Sequence, residues 1–264
     1  MRTYFAAYSL ALQQVLQRRS TLIMDRVGGV AVIVSLYYFW MALLGDGNSR
    51  LGYSPSQMLS YVLVMNLLRS FVFTGRGWEL VGEISSGKIS SYLVRPVSYH
   101  GYCLALDMAQ KTVHLAAAFI EVGILALLVQ APLYFPAKPE TWILFGAAVV
   151  LSSLIFFFLE FFVASIAFWT SESGGPLFCF ELFLQFCAGT FFPLDILPEA
   201  AQRALQLTPF PYLVFFPINI YLERVSPAQA AGVLGVQALW LAAFIWGAKT
   251  VWARGLESYT AEGG

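Results

Sequence analysis

The chain has 264 residues, of which 59% are hydrophobic, 16% aromatic and only 11% charged, against about 25% charged residues in a soluble domain. Lys+Arg and Asp+Glu each number 15, so no basic surplus exists to neutralise nucleic-acid phosphates. These figures exclude a water-soluble globular enzyme, a disordered chain and a nucleic-acid binder, and they point to an integral membrane protein.

Residues 1–20 mix Tyr4, Phe5, Tyr8, Leu12, Val15 and Leu16 with Arg2, Gln13, Gln14, Gln17, Arg18 and Arg19. The apolar residues recur at helical spacing without a long apolar core. That pattern predicts an amphipathic helix lying on the membrane surface rather than a leader peptide. A membrane-crossing helix needs about 20 mostly apolar residues, and six runs are read as spans: 27–44, 57–74, 106–129, 142–169, 177–192 and 228–252. The fourth is long enough to tilt, and the fifth is short. The expected fold is an all-α integral membrane protein with six transmembrane helices in one domain, 1–264.

Lys and Arg concentrate in cytoplasmic loops. With the N-terminus inside, Arg2, Arg18, Arg19, Arg26, Arg76, Lys88, Arg95, Lys249 and Arg254 fall on the cytoplasmic side, against Arg50, Lys138, Arg203 and Arg224 outside. Both termini are therefore expected in the cytoplasm.

Two connections are not ordinary loops. Residues 75–102 carry an apolar face (Trp78, Leu80, Val81, Ile84, Ile89, Leu93, Val94) broken by Gly82, Gly87 and Pro96. This predicts a short helix along the inner membrane face, presenting polar residues to a soluble partner. Within it, residues 82–88 match the GxxxxGK spacing of a phosphate-binding loop. Ile89 stands where Ser or Thr must hold magnesium, and no buried strand precedes it, so the match is coincidental. Residues 193–227 are cut by Pro193, Pro198, Pro209, Pro211 and Pro217 into pieces too short to cross. With Asp195, an amphipathic stretch at 199–207 and several aromatics, they read as a re-entrant or interfacial hairpin on the outer side.

Ionisable groups inside spans are costly and so are functional candidates. Here they are Arg69, Lys111, His114, Glu121, Glu160 and Glu181. Arg69, Lys111 and Glu181 are shallow and Glu160 somewhat deeper, which predicts ion pairs near the inner leaflet. Glu121 sits near the middle of the third span. Lys111, His114, Glu121 and Leu125 roughly share one helix face. The Glu121 carboxylate either meets a cationic substrate group or is neutral and hydrogen-bonded to a neighbouring helix. His100 and His114 have no companions at metal-ligand spacing, and Cys103, Cys179 and Cys187 are too scattered for a zinc site.

Six spans, a surface helix, a cytoplasmic segment after the second span and a Pro-broken hairpin before the last form a pattern. It resembles the membrane subunit of ABC-2-type ABC exporters, in a bacterial subgroup. The strings EISSGKISSYLVRP (83–96) and FFPLDILPEAAQRALQLTPFPY (191–212) carry the likeness, which covers nearly the whole chain. The resemblance implies a permease that pairs with a second permease, identical or related. It also implies recruitment of two copies of a separate cytoplasmic ABC ATPase, which binds ATP and Mg; this chain would bind no cofactor. The coupling helix maps onto 79–93, with Glu79, Glu83, Ile84, Ser85, Gly87, Lys88 and Leu93 on it and Arg95 and Pro96 ending it. The implied setting is the bacterial inner membrane, and the implied activity is export of a hydrophobic or amphipathic substrate, with no chemistry done by this chain. An ion-coupled secondary transporter built on Glu121 is the alternative, although no internal repeat is present. An intramembrane lipid-modifying enzyme is a weaker one, since no nucleophile stands beside a base.

Overall fold

The computed structural model describes residues 2–44, 52–94, 96–129, 133–170 and 172–259. Arg95 and Arg50 lie outside the described residues. Among those described, the chain is helical throughout, with no strand. Helix α1 (Arg2–Gln17) runs into α2 (Arg19–Leu44) with a break only at Arg18. Then come α3 (Pro55–Val72), α4 (Gly77–Ser85), α5 (Ile89–Leu93), α6 (Tyr99–Val129), α7 (Pro139–Ala164), α8 (Gly174–Ala188), α9 (Glu199–Gln206), α10 (Phe215–Tyr221) and α11 (Pro227–Ser258).

The long helices start where local chemistry provides an N-terminus. Ser54 Oγ accepts a hydrogen bond from Gln57 N while Gln57 Oε1 accepts one from Ser54 N, and Pro55 fills the first helical position. Ser226, Pro227 and Gln229 repeat the device at the start of α11. Helix α7 also opens on a proline, Pro139.

Five helices among the described residues are long and apolar enough to cross a membrane: Leu22–Leu43, Pro55–Ser85, Tyr99–Leu127, Pro139–Phe168 and Pro227–Ser258. The run at 177–192 falls short of that. It forms α8, of 15 residues, which stops at Ala188 because Gly189 takes φ 84° and its carbonyl accepts a 2.6 Å hydrogen bond from Tyr61 on α3. Apolar composition continues past that point, but the backbone turns.

Helix α3 is the hub. Of its span window 67% is buried, against 6% for the span in α2. Its residues Met58, Tyr61, Met65, Leu68 and Val72 pack with Ile155, Leu159, Leu184, Leu213 and Ile218 in the main core. Helix α11 lies along α7, and α1 lies along α6, where Tyr4 OH accepts from Ser98 N and Tyr8 OH donates to Thr112. A second core at the other end gathers Leu80, Ile84, Ile89, Tyr99, Phe157, Phe161 and Trp252.

Backbone strain at the end of α8 gives a first test. An alanine at 189 meets an unfavourable left-handed conformation, and its Cβ would lie 3.0 Å from the Tyr61 hydroxyl and 3.3 Å from Phe215. Gly189→Ala is expected to cost about 1–3 kcal/mol, read as a lower melting temperature in detergent micelles. An unchanged melting temperature would show that this turn does not hold α8.

Candidate functional site: the segment between α3 and α6, and the intramembrane charges

After α3 the chain must reverse without leaving its polar groups bare. Glu160 of α7 reaches into this turn and accepts a 2.9 Å hydrogen bond from Arg76 N, just before α4. A carboxylate at a helix N-terminus satisfies a free N–H and complements the helix dipole. The space it occupies requires glycine on both sides of Arg76. A Cβ on Gly77 would sit 2.7 Å from Glu160 Cγ, and one on Gly75 would fall on the carboxylate itself.

Helix α4 is then fixed along its length. The Arg76 guanidinium donates to Glu83 Oε1 (3.2 Å), and the Tyr99 hydroxyl at the start of α6 donates to Glu83 Oε2. Leu80, Ile84 and Ile89 turn into the second core, where Tyr99 stacks on Trp252 at 4.9 Å. Gly87, at φ 74°, separates α4 from α5. Of the residues assigned to the coupling helix from sequence, Glu79, Ser85, Lys88 and Pro96 are exposed, Gly87 is half-buried, and Ile84 is buried. Glu83 is turned inward onto Arg76 and Tyr99. Leu93 ends α5, and Arg95 lies outside the described residues.

The shallow intramembrane charges do not pair as expected. Lys111 Nζ lies 3.0 Å from Asp107 Oδ2, one helical turn away, and donates to Ser153 Oγ at 2.9 Å. Both side chains of the Lys111–Asp107 pair are completely buried. Glu160 is committed to Arg76 N. Glu181 and Glu160 share a cavity of about 160 Å³ with Trp78 and Gln185, and among the described residues no ion pair joins either glutamate to Arg69. Asp107 stands four residues before Lys111, a spacing that is itself a pairing signal in the sequence.

Glu121 and His114 meet a residue taken from sequence as the boundary of the first span. Arg26 donates to Ser70 Oγ (2.9 Å) and to His114 Nδ1 (2.6 Å), and its Nη1 stands 3.6 Å from Glu121 Oε2. Lys111 points instead to α7, so the shared face of α6 serves two different neighbours.

At the opposite end, the hairpin is pinned by Asp195. It accepts from the Tyr53 hydroxyl (2.9 Å) and from Arg224 Nη2 (2.9 Å), while Arg224 lies 3.7 Å over the Tyr53 ring. Burial raises the Asp195 carboxyl above its ordinary value, opposed by Tyr53 and Arg224. Pro198 precedes α9, Pro193 the turn Leu194–Ile196, and Pro209 the turn Phe210–Tyr212, whose middle residue is Pro211. Glu223 accepts from Tyr134 OH (2.7 Å), Thr141 Oγ1 (2.9 Å) and Lys138 N (3.3 Å). Between α3, α6, α7 and α10 lies an apolar cavity of about 530 Å³, lined by Leu63, Leu67, Phe119, Val122 and Phe145 among others. Among the described residues no three of His, Cys, Asp or Glu gather to hold a metal ion.

The model of the family described as "ABC-2 family transporter protein" matches residues 30–263. The chain belongs to the ABC-2 transporter family. No curated protein and no solved structure matches it. As an ABC-2 permease it is the multi-pass membrane component of a transporter that works with an ABC ATPase.

The buried Lys111–Asp107 pair yields a two-step test. Asp107→Ala strands a buried cation and is expected to cost about 3–5 kcal/mol, seen as loss of the monodisperse peak on size exclusion. The double change Asp107→Leu with Lys111→Met removes both charges and is expected to restore most of it. Failure of the double variant to recover would mean the pair does more than neutralise itself.

Glu223 gives a pH test. Its bonds from Tyr134, Thr141 and Lys138 hold the carboxyl below the ordinary value of 4.5. A depressed folded-state value means the stabilisation is complete above the ordinary value and is lost as pH falls through the lower, folded one. Protection of the Lys138 amide, its exchange rate relative to that of a free amide at the same pH, is expected to fall as the pH drops through the lowered Glu223 value, and Glu223→Ala is expected to give low protection at every pH. Wild-type protection that does not change with pH would refute the assignment.

Proposed function

We propose that the chain is the membrane subunit of an ATP-driven exporter of the bacterial inner membrane, with both termini cytoplasmic. In this reading, α4 and α5 are the coupling segment for a separate ABC ATPase, present in two copies. A second permease, identical or related, completes the membrane pair. ATP and Mg act on the partner; nucleotide binding there draws the coupling segments together and changes the side to which the membrane pair opens. The cargo is a hydrophobic or amphipathic molecule.

The observation that supports this best is the fixing of α4 at its start by Glu160 and along its inner face by Tyr99 and Glu83. A helix held at three points to α7, α6 and the turn after α3 moves with those helices as one body. The exposed side of the segment, with Glu79 and Ser85 on α4 and Lys88 in the turn before α5, is left for a soluble partner. Glu83 belongs to the holding side. A secondary transporter that cycles protons through Glu121 fits less well, because Arg26 stands against that carboxylate.

Charge reversal on the exposed side tests the reading. In the reconstituted complex, Glu79→Lys with Lys88→Glu is expected to cut ATPase association by about tenfold, as rim charges do, while the melting temperature of the isolated permease stays unchanged. Full association and normal substrate-stimulated hydrolysis in that double variant would rule out α4–α5 as the docking surface.

A further inference from the structure

The apolar cavity of about 530 Å³ is a groove with α3 as its floor and α6 and α7, which both pack on α3, as its walls. Leu63, Val64 and Leu68 line the floor and are otherwise buried. On α6 and α7 the lining stops at Leu115 and Val150, each in the middle of its helix. At the hairpin end it reaches Phe135 and Trp142, both exposed, as aromatic residues at a membrane surface are. Gly123 of α6 and Gly146 of α7 belong to opposite walls at matching depth, one near the end of its helix and one near the start. A Cβ added to either would have no neighbour within 4 Å. The walls therefore stand apart where glycines would let them close.

The chemistry of the lining names what fills such a space. Besides the exposed Trp142 indole, its polar side chains among the described residues are Ser60 and Tyr221. Both are taken by one backbone unit: Ser60 Oγ accepts from Tyr134 N (2.7 Å), and Tyr221 OH donates to the Tyr134 carbonyl (2.9 Å). An apolar cavity of this kind stays free of water, and left empty it would forfeit the contacts of every lining atom. From Ser60 to Phe71 the floor runs about 16 Å at about 1.5 Å per residue. One half of a bilayer's hydrocarbon core is about 15 Å thick. The volume suits a single small molecule or chain, about 300–1,000 Å³. A helix of the same length, about 10–12 Å across, would fill more than about 1,200 Å³.

We propose that this groove holds one hydrocarbon tail of a bilayer phospholipid, drawn from the leaflet at the hairpin end, with the headgroup left outside. The lining selects for a chain and for nothing else, and phospholipid is the chain always present at its mouth. The tail completes packing that the side chains of α3, α6 and α7 leave open. The site depends on the chain being a multi-pass membrane protein and not on the coupling role of α4 and α5, so either can fail without the other.

The test places the full chain in nanodiscs of phosphatidylcholine that carries a photoactivatable diazirine midway along one acyl chain. Labelled peptides are then mapped by mass spectrometry. Labelling of the α3 floor at 63–71 is expected in the wild type. Gly123→Leu with Gly146→Leu closes the groove from both walls and is expected to cut floor labelling about tenfold, because the space is filled to interior density. Labelling at the exposed Phe178 and Leu239 and the melting temperature are expected to hold. Gly146→Leu alone, expected to give a smaller drop, decides the matter where the pair disturbs folding. An unlabelled wild-type floor, or undiminished floor labelling in a folded leucine variant, would overturn the site. Phosphatidylglycerol with the same chain is expected to label equally, and a preference of more than about tenfold for either headgroup would overturn the tail-only assignment. Cross-linking from a photoreactive residue at position 146 to a second copy of the chain, in place of lipid, would overturn the lipid occupant. Loss of floor labelling during ATP hydrolysis by the ATPase-bound complex would make the tail cargo and overturn its assignment to the bilayer.

Discussion

The carboxylate of Glu160 is the point on which the arrangement of the bundle's polar end depends. It is buried in α7, a helix otherwise almost wholly apolar at that level, and it accepts from the backbone of a turn 84 residues earlier in the chain. A backbone N–H at the edge of the hydrocarbon region cannot be left to water, so the turn after α3 needs an internal acceptor. Glu160 supplies it, and the glycines at 75 and 77 make room. From that single bond follow the direction in which α4 leaves α3, the contact of Leu80 and Ile84 with Phe161 and Trp252, and the inward placement of Glu83.

The same constraint explains the other buried polar groups. Gln237 of α11 donates to the carbonyls of Ala148 and Tyr212 and to Ser152 Oγ, tying the last span to α7 and to the hairpin turn. Ser152 also donates to the Tyr212 carbonyl at 2.9 Å. Lys111 and Asp107 neutralise one another within a single turn of α6. The bundle thus uses polar contacts where apolar packing alone cannot distinguish a neighbouring helix from a lipid tail.

Much of this architecture is legible in the sequence, and the limits are physical. Glycines 82 and 87 and Pro96 mark the segment between α3 and α6 as broken and too short to cross, and two short helices form there. Ser54-Pro55 with Gln57, and Ser226-Pro227 with Gln229, are readable as helix starts. The end of α8 is obscured because Phe191 and Phe192 extend the apolar run beyond the helix, and only Gly189 hints at the turn. Asp107 was readable from its spacing to Lys111. The partners of Arg26 and Glu160 were not, because which helix faces which is decided by packing between distant segments and leaves no local periodicity. The surface exposure of individual residues in this segment is set the same way, which is why Glu83 on α4 is turned inward while Lys88, in the turn that follows, is exposed.

The partners of Arg26 also carry a consequence for how the protein is made. Ser70 follows it by 44 residues and His114 by 88, with Glu121 later still. At a synthesis rate of about 5–20 residues per second, the first span waits several seconds before its arginine can meet those groups. During that interval α2 must hold a cation in the bilayer unaided, with Arg26 extended toward the headgroups. Its placement only seven residues into α2 keeps the interface within reach of the side chain. Biogenesis, as much as transport, therefore favours an arginine at this shallow position over one deeper in the same helix.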